Sequence, residues 1–283
     1  MACKARKAHK AHKDRLDKLL VDRGLVESRT RAQALIMAGH VRVNGIRALK
    51  AGTQISPDCV LEVESGQRWA SRGAFKLLRA FELFPLDVAG RAVLDLGAST
   101  GGFTDVLLDK GARKVYAVDV GYGQLLWRLA SDPRVVVLDR TNARNLTPAH
   151  LDETPERAVC DASFISLKLL LPVLDALLPE DARAVVLIKP QFEAGRERLG
   201  RRGVVRDPEV HVEILEELLA FIGEHTGFCV SGLSWSPIRG PEGNVEFLCF
   251  LTRPDADTDA DKKTSEPSEP RAVVVAAHAA LAP

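Results

Sequence analysis

Between residues 92 and 188, short apolar, β-branched runs alternate with stretches of helical periodicity, and no other feature of the chain narrows its fold so far. The runs are Ala92–Leu96, Lys114–Val118, Val135–Leu138, Ala158–Asp161 and Ala184–Ile188; helical patterns fall at Gly102–Lys110, Leu125–Ala130 and Leu167–Leu178. Runs this uniformly apolar suit strands buried on both faces, and strands joined through helices run in one direction. The pattern therefore predicts an α/β fold, a parallel sheet with helices on both sides. One more helix is expected over Val210–Thr226. Phe228–Trp235 and Val245–Thr252 then lie close enough in sequence to pair antiparallel and close the sheet.

A smaller module precedes this domain. Residues 1–13 are low in complexity and basic, and are expected to form a flexible tail. Leu16, Leu19 and Leu20 sit at helical spacing ahead of Gly24. Ser28 can cap a second helix with Ala32, Leu35 and Ile36 on one face and Gly39 as its stop. Val41 and Val43 followed by Asn44-Gly45 predict a strand and tight hairpin, and Val60, Leu61 and Val63 a further strand. The expected domains are thus an α+β module over 14–65, a linker over 66–73, the α/β domain over 74–253 and a flexible C-terminal tail over 254–283. In that tail only Ala272–Leu281 carries a weak helical pattern.

Charge points to a partner for the first module. The chain carries 39 Lys+Arg against 38 Asp+Glu, yet residues 1–60 hold 13 basic residues and only five acidic ones. Such an excess suits a polyanion, with a solvated basic tail as the plainer alternative. The five cysteines are scattered and never spaced C-x-x-C, which argues against a zinc site or a disulfide framework; no metal is expected. No apolar run approaches the roughly 20 residues that span a bilayer, and no apolar segment follows the basic N-terminus, so a cytoplasmic protein without a membrane partner is expected.

The sharpest motif is Val93-Leu94-Asp95-Leu96-Gly97-Ala98-Ser99-Thr100-Gly101-Gly102-Phe103, an apolar strand entering a glycine-rich turn that opens a helix. Glycines allow a sharp bend and close approach of a ligand to the main chain. The spacing is not G-x-G-x-x-G, so a dinucleotide fits poorly. S-adenosylmethionine fits better, because its carboxylate and amine can sit on the backbone groups of the turn. Asp119, ending the next strand, can accept both hydroxyls of a nucleoside ribose; a strand-end cap is the alternative. Asp139 and Asn142, past the third strand, can contact the adenine or simply form a surface loop. The antiparallel closing strand also suits a Rossmann-like methyltransferase sheet better than a dehydrogenase one.

Four charged residues stand at or beside the carboxyl ends of strands, where open α/β sheets place ligands. Asp161 ends its strand, Lys189 ends another and is held extended by Pro190, Glu246 begins the last strand, and Lys76 lies on the helix before the first. A sugar hydroxyl is a weak acid and needs a base within hydrogen-bond reach. A lysine whose pKa is lowered by burial and a neighbouring cation can be that base, with the acids holding it in place, and Lys189 is the expected one.

With these residues in view, the second domain resembles the FtsJ-like ribose 2′-O-methyltransferases. That resemblance implies a Lys-Asp-Lys-Glu tetrad at Lys76, Asp161, Lys189 and Glu246. Arg15-Leu16-Asp17, Ser28-Arg29 and Gly39 through Gly45 resemble an S4 RNA-binding domain, which implies RNA contacts at Arg15, Lys18, Arg29, Arg31 and Arg42. Together with Ser71-Arg72-Gly73, Ser163-Phe164-Ile165-Ser166-Leu167 and Lys189-Pro190-Gln191-Phe192-Glu193, the chain over about residues 14–253 resembles the TlyA family. Membership implies methylation of cytidine 2′-hydroxyls in bacterial ribosomal RNA, 16S or 23S, with S-adenosylmethionine as cofactor bound by Gly97, Ala98, Ser99, Gly101, Gly102, Phe103, Asp119, Asp139 and Asn142, and with ribosomal RNA or ribosomal subunits as partners. Two departures are visible: Ser99-Thr100 where the wider FtsJ group often has a proline before the paired glycines, and Ala70 after Trp69 where a valine is expected. Three other functions compete. A membrane-acting hemolysin, the family's historical label, would need an amphipathic or spanning element. A non-catalytic RNA-binding or assembly factor would have no use for the paired lysines. A base methyltransferase using Cys160 on cytosine would need that thiol in a loop, whereas Cys160 falls within a strand run.

Overall fold

The computed structural model describes residues 13–26, 28–63, 68–200, 203–254 and 269–282. They divide into two units at Arg68. The expected basic tail, residues 1–12, lies outside the described residues.

The first unit contains β1 (Asp14–Arg15), α1 (Leu16–Asp22), α2 (Arg29–Met37), β2 (Val41–Val43), β3 (Ile46–Arg47), β4 (Gln54–Ile55) and β5 (Leu61–Val63). Ser28 caps α2 as expected, its Oγ accepting the Arg31 amide at 3.3 Å. Asn44 and Gly45 both take positive φ, 50° and 78°. That is the twist a two-residue hairpin needs between β2 and β3. β2 is flanked by β3 and β5 in a three-stranded antiparallel sheet, and β1 pairs with β4 in a separate two-residue ladder. Leu16, Leu20, Ala32, Ile36 and Val41 are fully buried and form this unit's own core.

The second unit contains α3 (Ala74–Leu83), β6 (Ala92–Leu96), α4 (Gly102–Asp109), β7 (Lys114–Val118), α5 (Trp127–Ala130), β8 (Val135–Leu138), β9 (Arg157–Cys160), α6 (Leu171–Leu177), β10 (Arg183–Ile188), α7 (Pro190–Glu193), α8 (Pro208–His225), β11 (Cys229–Trp235), β12 (Phe247–Thr252) and α9 (Pro270–Ala280). The sheet order is β11-β12-β10-β9-β6-β7-β8, parallel from β10 to β8, with β12 antiparallel to both its neighbours. Two-residue periodicity sorts the strands between two cores. Leu94, Leu96, Tyr116, Cys160, Val186 and Phe247 pack on the side of α6, α8 and α9, while Val93, Val115, Val159, Val185 and Phe250 pack on the side of α3 and α4. The order reverses between β6 and β9, a switch point that opens a crevice at the strands' carboxyl ends.

Two boundaries differ from the sequence reading. The expected linker over 66–73 is folded from Trp69 onward: Trp69 is buried and the Ala70 amide donates to Asp105 at 2.8 Å. The expected flexible tail over 254–283 ends in helix α9. Val273, Val274 and Ala277 form a stripe one turn wide that packs into the α8 side of the core, and that burial orders a segment whose composition alone would not. Residues 255–268 of the same tail lie outside the described residues. Among the described residues, no helix is long and apolar enough to cross a membrane.

Candidate active site

The sheet topology brings the four charged residues together. Asp161 follows β9 and Lys189 follows β10, so both leave the carboxyl edge of neighbouring parallel strands. β12 runs the other way with Phe247 opposite Ile188, so Glu246, just before its start, arrives at the same edge beside Lys189. Lys76 comes from α3, on the face that also buries Ala74, Leu77 and Ala80. A lysine on a helix's buried face requires partners, and Lys76 has two: its Nζ lies 2.7 Å from Glu246 Oε2 and 3.2 Å from Asp161 Oδ2. Lys189 Nζ lies 2.7 Å from Asp161 Oδ1 and donates to the Asp161 carbonyl at 3.0 Å and to Ser163 Oγ at 2.8 Å. Asp161 thus bridges the two lysine side chains. Lys76, Lys189 and Glu246 are each less than a tenth exposed.

This geometry separates the two lysines. Burial pushes the Lys76 pKa down, but Asp161 and Glu246 together outweigh it and leave the pKa raised. Lys76 is therefore held as a cation. Cys160 is fully buried within β9 and burial pushes its thiol up to about 12, which removes it as a nucleophile at neutral pH.

The glycine-rich turn follows β6. Gly97 and Gly101 hold φ of 85° and 97°, and Ser99 also lies in the left-handed region at 50°. These angles fit the sharp bend read from the sequence, and close packing adds a second reason for glycine. A Cβ on Gly97 would come within 2.8 Å of the Ala162 backbone, and one on Gly101 would strike the Leu125 and Leu129 side chains. Neighbouring chain thus excludes side chains at these two positions. Ala98 and Phe103 likewise turn into the core on the α4 side. Gly102 begins α4, against Ser71.

Asp119 is half-buried at the tip of β7. Its Oδ2 accepts the Ser99 amide at 2.8 Å and its Oδ1 the Gly121 amide at 2.7 Å, which fixes the carboxylate beside the turn. Asp139 Oδ2 accepts the Gly123 amide at 2.8 Å, and Asn142 is exposed and caps a short 3-10 turn through the Arg144 amide. Asp95, absent from the sequence-based site, is fully buried next to the turn. Its Oδ2 accepts from Thr104 at 2.7 Å while Oδ1 has no partner among the described residues, and burial pushes its carboxyl up to about 7.

Comparison with known proteins places this arrangement. Residues 69–253 match the model of the FtsJ-like methyltransferases and residues 14–60 that of the S4 domain. The 16S/23S rRNA (cytidine-2′-O)-methyltransferase TlyA of Mycobacterium tuberculosis is 48% identical over 92% of this chain and 97% of its own length. The chain belongs to the TlyA family of FtsJ-like methyltransferases. YqxC of Bacillus subtilis, provisionally named an rRNA methyltransferase, is also 48% identical, over 94% of this chain and 95% of its own. A solved Streptococcus thermophilus structure provisionally named a hemolysin superposes with a TM-score of 0.70 at 41% identity, over 95% of this chain and 97% of that one.

In this TlyA-family chain the S4 arginines are not simply solvated. Asp17 is fully buried and accepts from Arg15 at 2.9 and 3.0 Å, Gln33 at 2.8 Å and Arg29 at 3.2 Å. These bonds, Arg15's first, hold its carboxyl far below the usual range despite burial. Arg29 and Gln33 thereby pin α2 to α1, and Arg15 and Arg29 keep about half of their side chains exposed, at 44% and 55%. Lys18 pairs at 3.9 and 3.8 Å with Asp14 and Asp22, Arg31 is exposed, and Arg42 donates to the Gly45 carbonyl at 3.3 Å. Sequence reasoning also missed Glu193, which accepts from Ser166 Oγ at 2.6 Å and the Leu167 amide at 2.7 Å and so anchors the loop after Asp161 to α7.

Proposed function

We propose that this chain methylates a ribose 2′-hydroxyl of cytidine in ribosomal RNA, in the cytoplasm, with S-adenosylmethionine as methyl donor. The observation that carries the reading is the convergence of Lys76, Asp161, Lys189 and Glu246 on one edge of the sheet, next to the glycine turn. S-adenosylmethionine suits the residues beside it. Asp119, oriented by two amides, offers acceptors to a ribose diol, and the unpartnered Asp95 Oδ1 offers an acceptor to an ammonium group. When bound there, the cofactor supplies an electrophilic methyl group. Asp139 and Asn142 are the proposed adenine contacts, and Gly97, Ala98, Ser99, Gly101, Gly102 and Phe103 shape the turn.

The chain's own residues then have distinct tasks. Lys189, in its neutral form, takes the proton of the 2′-hydroxyl. Asp161 holds that amine from two sides, by carboxylate and carbonyl. Lys76 stays charged, keeps Asp161 aligned, and is itself held by Glu246. Holding the hydroxyl in line with the methyl group contributes on the order of 7–11 kcal/mol to such a transfer. The first unit grips the RNA through Arg15, Lys18, Arg29, Arg31 and Arg42.

The test is to incubate unmethylated ribosomal subunits with the purified protein and labelled cofactor, then map the product by alkaline hydrolysis. A 2′-O-methyl group blocks attack on the neighbouring phosphate, so one gap in the ladder at a cytidine is expected. Lys189→Ala should lower kcat by at least about a hundredfold with cofactor affinity little changed, because the lost interaction acts in the transition state. Label without a gap would place the methyl group on a base and refute the reading.

A further inference from the structure

Among the described residues, the surroundings of Lys189 Nζ offer a route for a proton. Three oxygens lie around it: Asp161 Oδ1 at 2.7 Å, the Asp161 carbonyl at 3.0 Å and Ser163 Oγ at 2.8 Å. A carboxylate and a carbonyl only accept hydrogen bonds. In the neutral amine, which has two hydrogens and one lone pair, these two oxygens take the hydrogens. Ser163 Oγ is then the one neighbour of the three that can donate to the lone pair, and a hydroxyl can rotate to do so. Exposure points the same way. Lys189 is 6% exposed, whereas Ser163 lies on the open side of the site. The loop that carries Ser163 is fixed rather than loose, because Glu193 holds Ser166 and Leu167.

We propose that Ser163 is a catalytic residue that relays the acceptor's proton to Lys189. This rests on the reading of Lys189 as the base. As the substrate oxygen forms its bond to the methyl carbon, the carbon–sulfur pair returns to sulfur and the substrate O–H breaks. That proton goes to Ser163 Oγ, and the Ser163 hydroxyl proton goes to the lone pair of Nζ. Serine ends as it began, a neutral hydroxyl, and Lys189 ends as an ammonium. The reverse hop, from Nζ through Ser163 to water, resets the site between turnovers. The chemistry needs a small hydroxyl at position 163, not merely a side chain of that volume.

The test uses the full chain with ribosomal subunits and labelled S-adenosylmethionine, comparing Ser163→Ala, Ser163→Thr and Lys189→Ala. Ser163→Ala should lower kcat by about a hundredfold at unchanged RNA KM and unchanged cofactor affinity by calorimetry, and Ser163→Thr, which keeps the hydroxyl, should restore most of it. Turnover of Ser163→Ala within about twofold of the parent, with Lys189→Ala inactive, overturns the relay and spares the base. Ser163→Thr as impaired as Ser163→Ala also overturns it, since volume rather than the hydroxyl would then matter. An active Lys189→Ala enzyme would instead refute the role of Lys189 on which the relay rests.

Discussion

At the scale of single residues, the site works by giving like groups unlike surroundings. Lys76 faces two carboxylates and is held charged, whereas Lys189 faces one carboxylate, a carbonyl and a hydroxyl. In the proposed mechanism these surroundings assign the two lysines, which share the Asp161 carboxylate, the roles of fixed cation and base. The same logic applies to Asp119, whose carboxylate two amides hold in one orientation. If it carries the cofactor's ribose, Asp119→Ala should weaken S-adenosylmethionine by about 10- to 100-fold, the worth of hydrogen bonds to a charged group. Asp119→Asn, which keeps one acceptor oxygen, should lose less. Calorimetry checks both, and affinity of the alanine variant within about twofold of the parent would remove Asp119 from the cofactor site.

At the scale of elements, α9 is tied to α8 by a histidine pair. His211 is fully buried, its Nδ1 lies 2.9 Å from His278 Nε2, and its ring meets Phe247 edge-on at 5.5 Å. Burial first, then His278, pushes the His211 pKa down to about 4. The folded state therefore binds the proton more weakly than the unfolded chain. Stability from the neutral ring is complete above about pH 6.5 and is lost as the pH falls toward 4, by about 3 kcal/mol at most. Urea titrations of the parent and of His211→Phe at pH 7.5 and 4.5 should show the parent losing more on acidification; equal losses would contradict the assignment. Helix α9, which the sequence offered only as a weak pattern over Ala272–Leu281, also marks where the sequence became hard to read. The strands announced themselves by unbroken β-branched runs, and the position of Glu246 followed once the last strand was read as antiparallel. By contrast, Val273, Val274 and Ala277 make a stripe only when the surface they cover is known, and two-residue strands such as β1 and β4 carry no period at all. Ser163 was equally silent, because nothing in the spacing of Asp161 and Ser163 says that a lysine 26 residues on will meet that hydroxyl.

At the scale of the whole molecule, two units have separate cores, and the proposed function gives them separate tasks. The turn, Asp119 and the four charged residues all belong to the second unit, and the basic excess to the first. Removing residues 1–68 should weaken RNA binding and flatten its salt dependence, since each lost phosphate contact lowers the logarithmic slope by about 0.7–0.9. Cofactor binding should persist, and an unchanged salt slope would contradict this division. Methylation of a sugar hydroxyl remains the claim on which the roles of Lys189, Asp161, Lys76 and Glu246 all depend. Its most direct test replaces only the acceptor atom. Once the labelled cytidine is mapped, an otherwise identical RNA carrying 2′-deoxycytidine at that position is offered to the enzyme with labelled S-adenosylmethionine. The account predicts that binding survives and label uptake falls to background. Uptake equal to that of the ribose substrate would place the methyl group on the base and contradict it.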